Sequence, residues 1–115
     1  MFKSVALNIN QDYSCLKIHK LLYNVFILQL NMGVNKSLED LEVKFSGDLY
    51  WDSMMRTMYA TDASVYRELP TAVAIPKSKD DLKLLIDFAQ SHALSLIPRA
   101  AGTSLAGQCV GSGIV

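Results

Sequence analysis

The hydrophobic pattern is clearest after residue 70, where a strand, a helix and a second strand follow one another. The β-branched apolar run 71–75 predicts a strand that stops at Pro76. A helical pattern follows and ends near His92, and the apolar run 94–97 predicts the second strand. A strand, a crossover helix and a strand of this size predict a parallel, right-handed β-α-β unit.

The predicted helix of this unit has a start signal, an apolar face and an end signal. Residues 78–81 (SKDD) have the spacing of a capping box, in which a Ser N-cap and an acidic side chain at N3 bond each other's main chain. His92 lies where a helix C-terminus favours a cation, so the sequence predicts a capping role for it rather than a catalytic one. Four apolar residues at helical spacing predict the buried face: Leu82, Leu85, Ile86 and Ala89.

A second helix is predicted earlier in the chain. Residues 37–40 (SLED) also have the form of a capping box, and Gly47 is a typical helix end. Leu38, Leu41 and Phe45 would fall on one face of this helix. The segment 48–67 that follows is rich in methionine and aromatic residues, for which core packing is the default expectation. These residues are Trp51, Met54, Met55, Met58, Tyr59 and Tyr66.

The first 31 residues differ from the rest because they contain neither Gly nor Pro. Their apolar run 21–30 has about ten residues, whereas a membrane-spanning helix needs roughly 20, so no membrane span is predicted. No A-x-A cleavage site follows, which speaks against a signal peptide. Two alternatives stay open: a weak helix that packs on the domain, or residues translated upstream of a true start at Met32. We therefore divide the chain into an N-terminal extension, 1–34, and a domain, 35–115.

The charge composition gives no support to two classes of partner. Eleven basic residues balance eleven acidic ones, which favours neither a nucleic-acid partner nor a polybasic membrane anchor. Cys15 and Cys109 are far apart and predict free thiols in a reducing compartment, hence a cytoplasmic protein that is at most peripheral to a membrane. Ile114 and Val115 read as the beginning of a β-strand, which indicates a partial domain.

The chemistry of the chain is concentrated in the loop 98–108 (PRAAGTSLAGQ), directly after the second strand. Four of the six glycines fall between residues 102 and 113, and glycine lets the main chain approach a ligand closely. Successive main-chain N–H groups suit an anion. Thr103 and Ser104 add hydroxyl donors, and Arg99 adds a positive charge. Loops at the carboxyl ends of parallel strands commonly bind ligands, so the sequence predicts a phosphate or pyrophosphate cradle.

Two better-known phosphate loops do not fit this segment. Gly102 and Gly107 have the spacing of the Walker A glycines, but Gln108 and Cys109 stand where that loop needs Lys and Ser or Thr. The dinucleotide fingerprint G-x-G-x-x-G is absent. A Gly-rich surface turn without a ligand therefore stays open as an alternative.

Several separated segments resemble one flavoprotein family. They are 59–66 (YATDASVY), Pro70, 74–76 (AIP) and the loop 98–108. They are similar to the FAD-binding domain of the vanillyl-alcohol oxidase/p-cresol methylhydroxylase (PCMH) class. Within it they are most similar to the FAD-linked oxidase branch that includes glycolate oxidase, D-lactate dehydrogenase and D-2-hydroxyglutarate dehydrogenase. The resemblance spans about residues 44–115.

This resemblance implies an α+β fold, with the β-α-β core of a PCMH-type FAD-binding subdomain preceded by helical segments. It also implies FAD as the cofactor, with the pyrophosphate held by the loop. Some relatives attach FAD covalently through a His, but Thr103 stands at that position, so FAD is expected to bind non-covalently. The implied cofactor-binding residues are Pro76, Arg99, Ala100, Ala101, Gly102, Thr103, Ser104, Gly107 and Gln108. Alanines 100 and 101 replace two glycines of the family's loop, so we expect ordinary backbone conformations there.

The implied function is that of the N-terminal part of an FAD-dependent oxidoreductase that oxidises a 2-hydroxy acid such as lactate or glycolate. A later domain would bind the small-molecule substrate, so this chain alone would be inactive, and it offers no catalytic residue and no metal site. Tyr59, Thr61, Asp62 and Ser64 would either shape the cofactor site or serve the fold. The alternative from another class is a stand-alone module that binds a phosphate ligand without redox activity.

Overall fold

The computed structural model describes the main chain of residues 9–115 and the side chains of residues 17–29 and 32–115. Residues 1–8 and the side chain of Cys15 lie outside the described residues. The elements are α1 (Ile9–Glu42), β1 (Asp48–Tyr50), α2 (Ser53–Met58), β2 (Val73–Ile75) and α3 (Lys79–Ser91). The chain divides into two compact units, Met1–Val34 and Asn35–Val115.

The first helix is longer than the sequence pattern predicts. α1 continues through Ser37 to Glu42, so the capping box predicted at 37–40 is wrong, and the helix ends before Gly47. Residues of low helix propensity cost only tenths of a kcal/mol each in a helix, so their neighbours can carry the helix through them. Most apolar side chains that the structure describes on residues 17–29 are exposed, among them Leu21 and Phe26. In the described part of the chain, no helix is long and apolar enough to cross a bilayer.

The sheet is small and contains both strand directions. β1 pairs with β2 in antiparallel register, with Leu49 opposite Ala74. Ile114 forms parallel bridges to Ala72 on one side and to Leu96 on the other. The segments before and after α3 therefore run parallel, with residues 114 and 115 between them. The second predicted strand is shorter than 94–97, because only Leu96 has a strand-type bridge.

Hydrogen bonds hold the segment 114–115 on both sides. The Val115 N–H donates to the Ala72 carbonyl at 3.0 Å, and the Ile114 N–H donates to the Ser95 carbonyl at 2.8 Å. A Cβ on Gly113 would overlap the Ser95 main chain, so only glycine allows the two segments to approach this closely. Ile114 is 1% exposed, and the pairing agrees with the strand predicted from its sequence.

The core of the unit Asn35–Val115 lies between this sheet, the end of α1 and one face of α3. Leu38, Leu41 and Phe45 are buried, as their spacing predicts. The buried face of α3 is only half predicted, because Leu82 and Ile86 are exposed. The helix is rotated relative to the prediction, so its inner face is formed by Asp81, Leu85, Phe88 and Ala89.

The predicted packing of the methionine and aromatic cluster is wrong for three of its members. Met54, Met58 and Tyr66 are all more than half exposed. Trp51 and Met55 are half-buried. α2 is a short surface helix with no buried residue, so its apolar side chains have no core to enter.

Asp81 joins the start of α3 to the loop after α1. The capping box predicted at Ser78 and Asp81 is confirmed, since each side chain accepts a hydrogen bond from the other residue's N–H. The same carboxylate accepts bonds from the N–H and the hydroxyl of Ser46, both at 2.8 Å, and from the N–H of Lys77 at 2.9 Å. Asp81 is 2% exposed, so this carboxylate is a buried hydrogen-bond centre.

The other end of α3 is closed by His92, as predicted. His92 is the C-cap residue, and its ring stacks on Phe88 with centroids 4.2 Å apart. Its Nδ1 lies 2.9 Å from the Phe88 carbonyl, which also accepts the His92 main-chain N–H. The residue therefore satisfies a helix-end carbonyl, which is a structural role.

The unit Asn35–Val115 is expected to fold without residues 1–31. The α1 side chains that are buried in the core, Leu38 and Leu41, lie beyond the deletion. We expect the shortened chain to keep the helix content of the remaining elements in circular dichroism and to melt cooperatively. A marked loss of solubility or of helix content beyond the deleted residues would mean that the extension belongs to the core.

Candidate functional site

The loop 98–110 leaves the sheet next to its central parallel segment. The Ile97 N–H donates to the Ile114 carbonyl at 2.8 Å, which fixes the point where the loop begins. Gly102 is buried, with φ +69°, and Gly107 has φ +72°. Side chains strongly disfavour this left-handed region, so glycine is required at both turns. Neither Ala100 nor Ala101 has a positive φ, as expected from their side chains.

The main-chain N–H groups of residues 100–105 are free of protein acceptors. Within the described part of the chain, none of them donates a hydrogen bond. Thr103 is exposed, so its hydroxyl adds a donor on the same stretch. Consecutive free N–H groups around a buried glycine are suited to bind an anion.

Ser104 and Gln108 shape the end of the loop. The Ser104 hydroxyl accepts the N–H groups of Ala106 and Gln108 at 3.3 and 3.2 Å. It also donates to the Gln108 side-chain oxygen at 3.0 Å. The two side chains therefore close the turn around Gly107, and a ligand would meet them in this fixed arrangement.

Arg99 is turned toward the segment 59–66. Its Nη1 donates to the Thr61 carbonyl at 2.8 Å and reaches the Cys109 carbonyl at 3.4 Å. The guanidinium carbon lies 5.2 Å from the centre of the Tyr59 ring, within the range of a cation–π contact. A Cβ on Gly102 would overlap this guanidinium, so Arg99 fills the space that glycine leaves.

The segment 59–66 supports the loop through further contacts. The Ala63 N–H donates to the Gly102 carbonyl at 3.0 Å, and the Cys109 N–H donates to Asp62 at 3.4 Å. The pKa of Asp62 is lowered from its ordinary value of 3.8, first by the hydrogen bond from the Ser64 hydroxyl. Partial burial opposes this shift, while main-chain N–H groups and the Arg99 charge reinforce it.

The sequence therefore pointed to two segments that the structure brings together. It left the role of Tyr59, Thr61 and Asp62 open, and their contacts show that they support the loop. The signal available in the sequence was the resemblance alone, since no spacing rule joins residues so far apart in the chain. Pro76 follows β2 as Pro98 follows the parallel segment at Leu96, so both prolines lie at the same end of the sheet. Among the described residues, no hydrogen bond joins Pro76 to the loop.

Comparison with known proteins gives dehydrogenase and oxidase relatives. The chain is 33% identical over 93 residues to the D-2-hydroxyglutarate dehydrogenase of Haemophilus influenzae, which is 77% of this chain. It is 39% identical over 82 residues to the D-2-hydroxyglutarate dehydrogenase of Escherichia coli, 68% of this chain. The chain is a homologue of D-2-hydroxyglutarate dehydrogenases and of a glycolate oxidase subunit.

A further homologue in this group is the glycolate oxidase subunit GlcD of Bacillus subtilis, 27% identical over 77 residues, or 64% of this chain. The matched segments cover 9% and 8% of the two dehydrogenases and 16% of GlcD. The chain thus spans a small part of the length of these relatives. No protein-family model matches it. The resemblance noted in the sequence is confirmed at the level of these oxidoreductase relatives.

Proposed function

We propose that this chain supplies the pyrophosphate-binding loop of an FAD-dependent oxidoreductase, and that the unit Asn35–Val115 belongs to a PCMH-type FAD-binding subdomain. The observation that carries the proposal is the row of free main-chain N–H groups at 100–105. The two phosphates of FAD carry negative charge and several acceptor oxygens, which these donors would satisfy. The proposed cofactor-binding residues are those of the predicted set, Pro76, Arg99, Ala100, Ala101, Gly102, Thr103, Ser104, Gly107 and Gln108. Among them, Arg99 would act through the conformation of the loop, because its guanidinium donates to main-chain carbonyls of the protein.

The loop fits a pyrophosphate for reasons of shape as well as charge. Gly102 takes the positive φ that turns the loop, and the alanines before it are small and exposed. Thr103 brings a hydroxyl and cannot form the bond through which a His attaches a flavin. We therefore propose that FAD binds non-covalently, so acid precipitation should release it from the wild-type protein.

The substrate proposal rests on the names of the relatives. D-2-hydroxyglutarate and glycolate, which name these homologues, are both 2-hydroxy acids. We propose a substrate of this class, such as lactate or glycolate, bound by a part of the protein outside this chain. The bound flavin would accept the electrons, while the residues of this chain would hold and orient the cofactor.

Flavin content separates this proposal from a phosphate-binding module without redox activity. The loop contacts only part of FAD, so we expect negligible flavin on the purified 115-residue chain. We expect one yellow flavin per polypeptide on a full-length protein that contains it, measured by absorbance after acid release. A full-length protein that binds inorganic pyrophosphate but no flavin would favour the module.

A further inference from the structure

We propose that Arg99 and Asp62 form a clamp that presets the loop 98–110 before the cofactor binds, so that both are positioning residues rather than sources of charge for the phosphates. This inference rests on the proposed function, because the anion in question is the FAD pyrophosphate. It assigns a role to the segment 59–64, which the sequence left undecided.

The clamp holds the loop at both of its ends and in its middle. Arg99, at the start, donates to the Thr61 carbonyl at 2.8 Å and contacts the Cys109 carbonyl at 3.4 Å. Asp62 accepts the Cys109 N–H at the end of the loop. The Ala63 N–H binds the Gly102 carbonyl at 3.0 Å, which ties down the middle.

The chemistry of the two side chains favours positioning over direct charge. The Arg99 guanidinium donates to main-chain carbonyls and lies over the Tyr59 ring. Its planar fork of donors can serve both carbonyls, and the single ammonium group of a lysine would not reproduce this arrangement. Asp62 is negative, and a carboxylate near an anion site weakens binding by charge alone. Its presence next to the loop is explained by the N–H groups that it accepts from Ser64 and Cys109.

A loop that is ordered before binding should have a higher affinity for its ligand. A loop that is already ordered loses less conformational freedom when the ligand arrives, so more of the contact energy appears as affinity. Removing either half of the clamp should loosen the loop without unfolding the unit, because the buried core of α3 and the sheet does not include Arg99 or Asp62.

Two variants and a matched control test the clamp. Arg99→Lys keeps the positive charge and loses the planar fork, while Asp62→Asn removes the negative charge and keeps the size. Asp87→Asn, on the exposed side of α3, removes the same charge away from the loop. Amide hydrogen exchange in the ligand-free chain, resolved by NMR, should be roughly tenfold faster at Ala63 and Cys109 in both loop variants. In the control, exchange at Ala63 and Cys109 should equal that of the wild type. Exchange in α3 should be unchanged in all three variants.

FAD affinity in the full-length protein distinguishes the clamp from a role through charge, because the two explanations predict opposite effects of Asp62→Asn. A role through charge predicts wild-type affinity for Arg99→Lys and tighter FAD binding for Asp62→Asn, whereas the clamp predicts that both variants bind FAD roughly tenfold more weakly. The proposal would be overturned if the loop variants exchanged the amides of Ala63 and Cys109 at the wild-type rate. It would also be overturned if exchange in α3 accelerated as much as at these two amides, or if Asp62→Asn bound FAD more tightly than wild type. If the wild-type protein binds no FAD, the proposed function fails, while the exchange rates of the ligand-free chain still decide the clamp.

Discussion

Gly102→Val should lower the affinity for FAD by at least about a hundredfold in a full-length protein that contains this chain. Gly102 has φ +69°, a conformation that a β-branched residue strongly resists. Its new side chain would also overlap the Arg99 guanidinium and displace it from the Thr61 carbonyl. Both effects move the free N–H groups that we propose as the pyrophosphate site. The measurement is a fluorescence titration of the apoprotein with FAD.

Gly111→Ala is the control for added bulk near the loop. Gly111 has no positive φ, and a Cβ there would meet only the end of the Ile97 side chain, which can shift. We expect it to bind FAD within about threefold of wild type, whereas Gly102→Ala should already bind more weakly because alanine also resists the left-handed region. Wild-type FAD affinity in a folded Gly102→Val protein would mean that the loop is a surface turn and does not bind the cofactor.

Asp81→Ala should lower the thermal midpoint of the unit Asn35–Val115 by roughly 10 °C. Its carboxylate accepts hydrogen bonds from Ser46, Lys77 and Ser78, so its loss leaves partly buried donors without this acceptor and removes half of the capping box. Asp80→Asn is the matched control, because this neighbour is exposed and its ion pair with Lys83 is solvated. A midpoint for Asp81→Ala equal to that of Asp80→Asn would contradict the role of this junction.

The same carboxylate predicts how stability depends on pH. Burial alone raises the pKa of Asp81, but the hydrogen bonds from Ser46, Lys77 and Ser78 outweigh it and hold the pKa well below the ordinary 3.8. The unfolded chain therefore takes up the proton first. Asp81 contributes its full stabilisation above about pH 4, and this contribution is lost as the pH falls toward the folded-state pKa. Denaturation curves should show a smaller loss of stability below pH 4 for Asp81→Asn than for wild type.

Local rules predicted the elements whose signals are local. The capping box at Ser78 and the end of α3 at His92 follow from spacing, because neighbouring residues alone determine them. The start of a helix at Ser37 was wrong, because helix propensity there is only slightly unfavourable and α1 continues through it. The predicted burial of Leu82 and Ile86 is wrong, because periodicity identifies an apolar stripe but does not determine which part of the stripe meets the sheet.

The loop shows a different limit of sequence reasoning. Glycine content and position after a strand predicted a main-chain anion site, and Gly102 and Gly107 do adopt the left-handed conformation that only glycine takes easily. The orientation of Arg99 could not be predicted, because its partners Thr61 and Cys109 are main-chain carbonyls whose positions depend on the whole fold. The residue type of Arg99 predicts a charge for the phosphates, and the structure shows that its Nη1 donates to two main-chain carbonyls of the protein.

Hydrogen exchange of the full-length protein with and without FAD tests the central claim most directly. If the loop binds the pyrophosphate, the free N–H groups of residues 100–105 gain acceptors, and their exchange should slow by roughly tenfold or more on saturation with FAD. The amides of α3 serve as an internal reference, since they are bonded in both states. Stoichiometric FAD binding that leaves exchange at 100–105 unchanged would contradict the account.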